Sequence, residues 1–391
     1  MIQSENLTYR YPGADKDAIC DLTLAVSSGE RLALMGGNGS GKSTLARLFA
    51  ALLTPDSGRL FVNGASDASS DNQASSVGIL FQNPDNQMVS VLVDKEIAFA
   101  LENRGATMVE MERGVKRSLQ CFGISHLARR LTSELSGGEK QRVALSAITV
   151  DQPRLLLLDE PDSYLDRAGR QLLKEQLLKL RQAVPDLTEI RITQYPEVAR
   201  TYPRLVVLKD GQIVFDGEPE KFFSDRAQVS SCRLSFEPDQ QSDRMASDFS
   251  PASLNGKKSL QVEKLTFGHS EDRTLFNEAT FSLESGEIVA LVGPTGCGKS
   301  TLGHILCGLI QPDSGRVRLT DDGLQVSEDK RAGMVSGVLQ QPERQFFLPS
   351  CNEEVAFGPS NLGQSLSTDQ IEAYLRQVRL APDEFSARDP L

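Results

Sequence analysis

The sequence predicts an α/β fold that occurs twice along the chain, with the second copy incomplete. Two segments, residues 36–44 and 293–301, fit the pattern G-x-x-x-x-G-K followed by Ser or Thr. A short apolar stretch typical of a strand precedes each segment, and a helical pattern follows it. Residues 1–131 and 260–391 also run in parallel, and such self-similarity indicates one domain present in two copies.

Apolar patterns on either side of the glycine-rich segments predict the individual elements. Residues 31–35 and 287–292 are predicted strands, and residues 155–158 are typical of a strand buried on both faces of a parallel sheet. The helix after the first loop is predicted from apolar residues at helical spacing, namely Leu45, Leu48, Phe49 and Leu52. A strand, a glycine-rich turn and a helix in this order indicate an α/β fold that binds its ligand at the strand ends.

The repeat also predicts the domain boundaries. We expect a first domain over residues 1–228, a flexible linker over 229–258 and a second domain over 259–391. The linker prediction rests on a Ser-, Asp- and Gln-rich composition with little apolar periodicity. At 391 residues, the chain is long enough for two domains with ordinary cores.

Composition narrows the class of protein. With 39% hydrophobic and 24% charged residues, no long apolar run and no secretory signal, we expect a soluble globular protein. The six cysteines lack C-x-x-C spacing, so reduced cysteines in a cytosolic protein are expected rather than a metal site or disulfides. The net charge of -11 argues against nucleic-acid binding by broad phosphate neutralisation.

The glycine-rich segments carry the chemistry of phosphate binding. Glycines let backbone N–H groups curl around phosphate oxygens, and the positive end of the following helix points at the same anion. Lys42 and Lys299 are expected to reach the β and γ phosphates, and the hydroxyls of Ser43 and Ser300 are expected to bind Mg²⁺. One such match could arise by chance, whereas two matches in the same strand–helix context favour phosphate binding.

Two carboxylates follow the buried strand at residues 155–158. Acidic residues at the carboxyl end of such a strand face the ligand crevice. Asp159 is therefore expected to bind Mg²⁺, and Glu160 to orient or deprotonate the attacking water. The alternative is an ordinary solvated strand end, but the phosphate-binding segment upstream favours the catalytic interpretation.

Residues 135–139 open a predicted helix. Ser136 and Glu139 have the spacing of an N-terminal capping box, which is a purely structural interpretation. Gly137 and Gly138 are costly in a first helical turn unless the backbone must approach something closely. A γ-phosphate bound by another domain would account for them, and the two interpretations are compatible.

Together these motifs resemble those of the ATP-binding-cassette (ABC) ATPases. The motifs stand in the family's order, namely the loop at Gly36, Gln82, the signature at residues 135–139, the pair Asp159 and Glu160, and a D-loop at residues 163–166. The resemblance covers nearly the whole chain apart from the linker. It implies a P-loop NTPase fold of the ABC ATPase type, duplicated, with ATP and Mg²⁺ as cofactors.

The resemblance also implies a role for each site residue. Glu160, Gln194 and Gln82 would be catalytic, with Gln82 coupling the Mg²⁺ site to a membrane partner. Tyr11 would stack on adenine, while its counterpart His269 would either stack or simply lie at the surface. The other implied nucleotide contacts are Gly36, Asn38, Gly39, Gly41, Lys42, Ser43, Thr44, Ser136, Gly137, Gly138, Gly293, Thr295, Gly296, Gly298, Lys299, Ser300, Thr301 and Gln340. The implied Mg²⁺ ligands are Ser43, Gln82, Asp159, Ser300 and Gln340.

A narrower resemblance is to the energy-coupling-factor (ECF) group, which drives the uptake of vitamins, cobalt or nickel. Residues 82–87 and 354–363 are similar to that group's Q-loop and the segment beyond it, although they could be generic to any importer cassette. The resemblance implies a peripheral ATPase subunit at the cytoplasmic face of the cell membrane. Its partners would be an integral membrane subunit of the ECF T type and a substrate-binding membrane subunit, with cassettes pairing within or between chains.

Other functions stay open at this stage. A non-transport ABC ATPase of translation or DNA repair is one alternative, although we expect no nucleic-acid partner from the acidic charge balance. A nucleotide-binding regulatory subunit without turnover is another. Gln194 occupies the place of the family's switch histidine, and glutamine can hydrogen-bond a γ-phosphate but cannot become cationic. Slower or differently regulated hydrolysis at that site is therefore a hypothesis.

The second copy departs further from the family. Gly36 to Ser136 spans 100 positions, whereas Gly293 to Leu391 spans 98, so this copy contains no signature, acidic pair or switch residue. ABC sites are composite, with the loop of one domain facing the signature of another. We expect either that the first domains of two chains pair, or, as the favoured alternative, that the chain is a fragment with apolar surface exposed in its second domain.

Overall fold

The computed structural model forms two compact units, Met1–Ser247 and Asp248–Leu391. The structure describes residues 1–63, 77–163, 165, 167–232, 234, 258–270, 273–293, 296–322, 324–327, 331, 333–338, 345–388 and 390, without the side chains of residues 269, 270 and 273. No helix among them has both the length and the apolar character needed to cross a membrane.

The described residues of the first unit form two sheets. Its strands are β1 (Ile2–Tyr9), β2 (Ile19–Val26), β3 (Arg31–Gly36), β4 (Ser57–Val62), β5 (Val77–Leu80), β6 (Leu155–Asp159), β7 (Thr188–Ile192), β8 (Arg204–Lys209) and β9 (Gln212–Gly217). An antiparallel sheet has the order β2-β1-β4. A larger sheet has the order β5-β6-β7-β3-β8-β9 and is parallel except for β9. The sequence did not predict the antiparallel sheet.

Helices cover both faces of the larger sheet. They are α1 (Lys42–Phe49), α2 (Val93–Asn103), α3 (Met108–Cys121), α4 (Gly137–Thr149), α5 (Arg167–Ala183), α6 (Pro196–Ala199), α7 (Pro219–Phe223) and α8 (Arg226–Ser231). Side chains of α1 join a core that includes residues of both sheets. Side chains of α2, α3, α4 and α5 join a second core with strands β5 and β6.

The strand β6 confirms the prediction of a strand buried on both faces. Leu155 and Leu157 lie in the core that contains α1, whereas Leu156 and Leu158 lie in the core that contains α2 to α5. Successive side chains of a strand point to opposite faces, so a central parallel strand covered on both sides is apolar throughout. Asp159 therefore lies at the carboxyl end of this strand, at the edge of the sheet.

The helix α1 is shorter than predicted. It ends at Phe49, and Leu52 lies beyond it with 54% of its surface exposed. Ala51 has a left-handed φ of 57°, and the Leu52 N–H donates to the Arg47 carbonyl at 2.9 Å. This is the pattern of a Schellman cap, which satisfies the last helical carbonyls and turns the chain away from the helix axis. The assignment of Leu52 to the helix was therefore wrong.

The first unit also extends past the predicted boundary at residue 228. The helix α8 ends at Ser231, and Cys232 and Leu234 are buried in a cluster with Met35 and Phe222. Residues 229–232 and 234 therefore belong to the first unit rather than to a linker. Residues 235–257 lie outside the described residues, so a linker there stays a prediction.

The second unit repeats part of this architecture. Its strands β10 (Lys258–Ser270), β11 (Arg273–Glu284), β12 (Ser314–Asp321) and β13 (Leu324–Gln325) form an antiparallel sheet with the order β11-β10-β12-β13. Its helices are α9 (Lys299–Leu306), α10 (Cys351–Asn361), α11 (Thr368–Gln377) and α12 (Pro382–Phe385). Leu302 and Ile305 of α9 pack against Val262 and Leu265 of this sheet.

The predicted strand at residues 287–292 does not form. In the first unit, β3 is hydrogen-bonded between β7 and β8, which both follow the signature in sequence. The described residues after Gly293 form no parallel strands of that kind, and a strand needs such partners for its backbone groups. Ile288 and Val292 are consequently 102% and 88% exposed, so the apolar exposure expected of an incomplete second copy is present.

Candidate nucleotide-binding site

The first glycine-rich loop joins a strand to a helix, as the sequence predicted. The strand β3 ends at Gly36, and α1 begins at Lys42. Gly39 and Gly41 have left-handed φ values of 74° and 98°, while Asn38 is exposed. A loop with these backbone angles can turn successive N–H groups toward one anion at the start of a helix.

The described glycines of the second loop have the backbone angles of their counterparts although no strand precedes the loop. Gly296 and Gly298 have φ values of 80° and 99°, close to those of their counterparts in the first loop. The Lys299 ammonium donates to the Gly293 carbonyl at 2.8 Å. Of the other predicted contacts in this copy, Ser300 and Thr301 lie in the first turn of α9, while Thr295 and Gln340 lie outside the described residues.

Lys42 is held inside the first loop. Its ammonium donates to the carbonyls of Gly36 at 3.0 Å and Gly37 at 2.9 Å, and the residue is only 7% exposed. Burial lowers the pKa of Lys42, and the nearby charges of Glu160 and Asp159 oppose that shift. A phosphate group in the loop would add negative charge beside this buried ammonium and would favour its charged form further.

Asp159 and Ser43 meet beside this lysine. Burial raises the pKa of the Asp159 carboxyl, whereas a hydrogen bond with Ser43 lowers it and the charge of Glu160 raises it further. The hydroxyl of Ser43, the carboxylate of Asp159 and the amide oxygen of Gln82 are hard oxygen donors of the kind Mg²⁺ takes. The described residues contain no group of three or more His, Cys, Asp or Glu side chains suited to a metal ion. Mg²⁺ is usually bound through one or two carboxylates plus phosphate, and one carboxylate with two neutral oxygens fits that pattern.

Glu160 is the point where separate segments of the first unit converge. Gln82 Nε2 donates to one carboxylate oxygen at 3.1 Å, and Gln194 Nε2 donates to the other at 2.5 Å. Ser163 adds a third hydrogen bond through its hydroxyl at 3.2 Å. Glu160 itself has a left-handed φ of 47°, which is uncommon for a non-glycine residue and occurs often at functional sites. The three donors hold the carboxylate in one orientation.

The hydroxyl of Tyr11 contacts the helix that follows the first loop. The Tyr11 hydroxyl is 3.2 Å from Thr44 Oγ1, and Arg47 donates to it at 3.2 Å. The ring also meets Tyr9 edge-on, with centroids 5.1 Å apart. These contacts place an aromatic ring beside the first turn of α1, where adenine stacking stays a prediction. The side chain of His269 lies outside the described residues.

The signature segment forms the capping box that the sequence predicted. Ser136 is the N-cap of α4, and the Glu139 side chain accepts from its backbone N–H at 2.8 Å and from its hydroxyl at 2.7 Å. Partial burial alone would raise the pKa of Glu139, but the hydrogen bonds from Ser136 lower it overall. Gly137 and Gly138 follow in the first turn and are half-buried. The capping role is confirmed, and contact with a γ-phosphate stays a prediction.

Two residues that hold the segment after Gln82 were missed by the sequence reasoning. Glu96 is buried and accepts from the backbone N–H groups of Val89 at 3.0 Å and Ser90 at 2.6 Å. Gln87 donates to the Ile79 carbonyl at 2.9 Å. Together they fix a loop between β5 and α2.

The second unit makes the same contacts at a constant offset of 258 positions. Gln345 donates to the Gly337 carbonyl at 2.9 Å, as Gln87 does in the first unit. Glu354 accepts from the N–H groups of Phe347 at 3.0 Å and Leu348 at 2.9 Å, as Glu96 does. The identical Gln and Glu at one spacing in both copies were the sequence signal for these roles.

Restoring a histidine at the switch position is expected to speed hydrolysis. In Gln194→His, the imidazole can become cationic and can neutralise charge on a γ-phosphate, which an amide cannot do. We expect a several-fold higher turnover that grows as the pH falls toward 6.5. Steady-state ATP hydrolysis from pH 6 to 8 measures this effect, with Gln194→Ala as the control that removes the donor. An unchanged rate in Gln194→His would refute the hypothesis.

The geometry defines the class of protein. A glycine-rich loop between β3 and α1, a buried lysine and an acidic pair at the end of β6 make the first unit a P-loop NTPase. Residues 19–163 and 276–389 match the family model for the ABC transporter. The chain therefore belongs to the ABC transporter family, as one of its ATP-hydrolysing ATP-binding proteins, with the cassette present in two segments.

Several relatives are similar to this chain. A putative ABC transporter ATP-binding protein of Methanosarcina acetivorans is 32% identical over 418 residues, covering 93% of this chain and 67% of the relative. An energy-coupling factor transporter ATP-binding protein of Lacticaseibacillus paracasei is 41% identical over 226 residues, covering 57% of this chain and 81% of the relative. The chain spans 54% of the length of a further putative ABC transporter ATP-binding protein, from Bifidobacterium longum.

A solved structure gives the same fold. The CbiO1 protein of Clostridium perfringens, described as part of the ABC transporter complex CbiONQ, is 30% identical. It matches with a TM-score of 0.52 and covers 63% of this chain and 98% of its own. That coverage amounts to about one cassette, which agrees with a duplicated cassette in this chain.

Proposed function

We propose that the chain is the ATP-binding and hydrolysing subunit of a membrane importer of the ECF type. The hydrogen bonds to the Glu160 carboxylate support the proposal that the subunit hydrolyses ATP. They come from Gln82, Ser163 and Gln194. The charge of this carboxylate acts on Lys42 of the phosphate loop. In this proposal Glu160 orients or deprotonates the attacking water. Gln82 and Gln194 hold the carboxylate in place and sense the γ-phosphate.

ATP and Mg²⁺ are the proposed cofactors of the first unit. Lys42 and the loop N–H groups would bind the phosphates, and Tyr11 would stack on adenine. Mg²⁺, held by Ser43, Asp159 and Gln82, would neutralise charge that develops on the phosphates. In the second unit, Lys299 and Ser300 are the corresponding proposed contacts.

A complete site requires two cassettes. The Gly36 loop would face the Ser136 segment of another cassette, because the composite arrangement implied by the family places a loop against a signature. A signature and an acidic pair both lie in the first unit. We therefore propose that the first units of two chains pair to form working sites, with pairing within a chain as the alternative.

A groove on the first unit is the proposed docking place for the membrane partner. Its volume is about 530 Å³, and its lining includes Gln87, Val89, Glu96 and Phe99. Val89 and Phe99 are 65% and 43% exposed, and together in the lining of one groove they form an exposed apolar patch. Gln87 of the lining belongs to the segment that begins at Gln82, and Gln82 donates a hydrogen bond to Glu160. This segment would connect an occupant of the groove to the catalytic carboxylate.

The second unit presents an equivalent apolar surface. Phe357 stands 258 positions after Phe99 and is 39% exposed, and Phe347 stands 258 positions after Val89 and is 71% exposed. The repeated exposure supports one kind of partner for both cassettes. As that partner we propose an integral membrane subunit of the ECF T type. A second membrane subunit would bind the transported substrate, which is a vitamin, cobalt or nickel. The chain would then be a peripheral protein at the cytoplasmic face of the membrane.

Capture of the membrane partner tests this proposal. Tagged chain is purified from detergent extracts of its own cells, and the bound proteins are identified by mass spectrometry. We expect a protein with several membrane spans to bind, and we expect Phe99→Asp combined with Phe357→Asp to abolish its capture. Val214→Asp is the matched control, because Val214 is 40% exposed on β9, away from the groove.

The same experiment separates the alternatives. Binding that survives the two Phe→Asp changes would contradict the docking surface. Capture of ribosomes or DNA-repair proteins instead of a membrane protein would favour the non-transport ABC ATPase. ATP that stays bound without cleavage, in the presence of the captured partner, would favour the regulatory subunit.

A further inference from the structure

A second cleft of the first unit lies apart from the phosphate loop. Its volume is about 640 Å³, which is within the range of pockets that hold small molecules. Six cationic side chains line it, namely Arg31, Arg167, Arg170, Lys174, Arg181 and Arg191. Asp162 and Glu197 are the carboxylates in its lining. This positive cluster occurs in a chain whose net charge is -11, so it runs against the overall charge balance.

Three of these cations form the deep wall of the cleft and have acidic partners. Arg191 donates to both oxygens of Asp162 at 2.6 Å. Arg181 and Arg31 lie 3.1 and 3.9 Å from one oxygen of the fully buried Glu189. Arg191 is only 8% exposed, and its Nε has no hydrogen-bond partner among the described residues. By contrast, Arg31 and Arg181 keep 27% and 23% of their side chains exposed, so part of this wall is accessible from the cleft.

The other three cations stand on one face of α5 and have no acidic partner among the described residues. Arg167 and Lys174 form no ion pair within the part of the chain that the structure describes. Arg170 donates to the Leu165 carbonyl at 3.3 Å and to the Tyr195 hydroxyl at 3.2 Å, which are neutral acceptors. Their spacing brings them to one side of the helix, where like charges repel. The first turn of α5 has no acidic residue, so the helix dipole adds positive potential.

We propose that this basic cleft binds a small anion with two or more negative charges, of the diphosphate or polyphosphate class. Guanidinium groups match phosphate oxygens with paired hydrogen bonds, and the cleft offers them from its wall and its rim. A polyvalent anion would neutralise the repulsion between the cations along α5. The anion could be free or part of a nucleotide. The proposal goes beyond ATP hydrolysis and does not depend on it.

Calorimetric titration of the full chain with pyrophosphate in the absence of Mg²⁺ tests the proposal. Both phosphate loops are first weakened by Lys42→Ala and Lys299→Ala, so that the heat reports the cleft. Arg167→Gln combined with Lys174→Gln removes two exposed rim charges. We expect these two changes to weaken pyrophosphate binding by about tenfold.

A matched pair of changes controls for net charge. Lys116→Gln combined with Lys179→Gln removes two exposed cations outside the cleft, and we expect the pyrophosphate affinity to change less than about twofold. Equal weakening by both pairs, or no binding at millimolar pyrophosphate in the starting protein, would overturn the proposal.

Two further probes identify the source of the anion. ADP that binds more tightly than pyrophosphate, and that is weakened by the same rim changes, would support a nucleotide as the occupant. Pyrophosphate that binds more tightly than ADP would support a free polyphosphate. Polyglutamate that competes more strongly than either would instead assign the cleft to an acidic protein segment and overturn the proposal.

Discussion

We expect the Glu160→Gln variant to bind ATP normally but to lose about 10²- to 10⁴-fold in turnover, the range for removal of a positioned general base. The amide keeps the size of the carboxylate and can still accept from Gln82, Gln194 or Ser163, whose donors meet Glu160 at 2.5 to 3.2 Å. It cannot take a proton from water. Phosphate release under saturating ATP and equilibrium ATP binding measure the two properties separately.

A second carboxylate provides the control for this variant. Glu175 is exposed on α5 and lies outside the site, so Glu175→Gln is expected to keep the turnover of the unchanged chain. Turnover that survives in Glu160→Gln would assign the catalytic base to another residue. Loss of ATP binding in the same variant would mean that Glu160 supports the loop rather than the chemistry.

The Gly41→Ala variant is expected to lose ATP binding and part of its stability. Gly41 has a φ of 98°, and a Cβ there would lie 2.4 Å from the Ala18 carbonyl oxygen and 2.9 Å from Ile19 Cδ1. Left-handed strain costs about 1 kcal/mol and the overlap with backbone adds about 1–3 kcal/mol of unfolding free energy. The loop must move to relieve this contact, so its N–H groups no longer converge on phosphate.

Gly39→Ala separates the strain from the overlap. Gly39 also has a left-handed φ of 74°, but a Cβ there meets nothing within 4 Å. We expect this variant to lose only about 1 kcal/mol of unfolding free energy in denaturant titrations without nucleotide. Equal losses in the two variants would contradict the account of a loop packed tightly against β2.

Local patterns predicted the parts of the site that depend on neighbouring residues. The loop before α1, the buried strand β6 and the capping box at Ser136 each follow from a few consecutive residues, and the structure contains all three. The end of α1 was misjudged because Leu52 fits the apolar spacing. A left-handed Ala51 ends the helix before that residue.

Long-range pairing explains what the sequence did not reveal. Residues 287–292 have the same apolar character as β3, yet they form no strand because partners equivalent to β7 and β8 are missing from the described second unit. The donors around Glu160 are Gln82, two residues after β5, Ser163 in the turn after β6, and Gln194, two residues after β7. The order of the motifs along the sequence predicted that these residues belong to one site. Only the fold shows that Gln194 Nε2 lies 2.5 Å from a carboxylate oxygen of Glu160.

The basic cleft could not be predicted from the sequence either. Its cations come from β3, α5 and β7, and no segment of the sequence contains enough of them to stand out as a basic run. The apolar exposure of Phe99 and Phe357 was likewise hidden, because each lies in a helix with an otherwise ordinary pattern.

The rate of ATP hydrolysis by the unchanged chain, measured across a wide range of protein concentrations, tests the central claim most directly. A signature and an acidic pair both lie in the first unit, and we propose that the first units of two chains pair into working sites. We predict that the rate per chain rises with concentration and reaches a plateau once the chains are paired. Bound ATP with no hydrolysis at any concentration, or a rate per chain that stays constant, would contradict pairing of the first units into working sites.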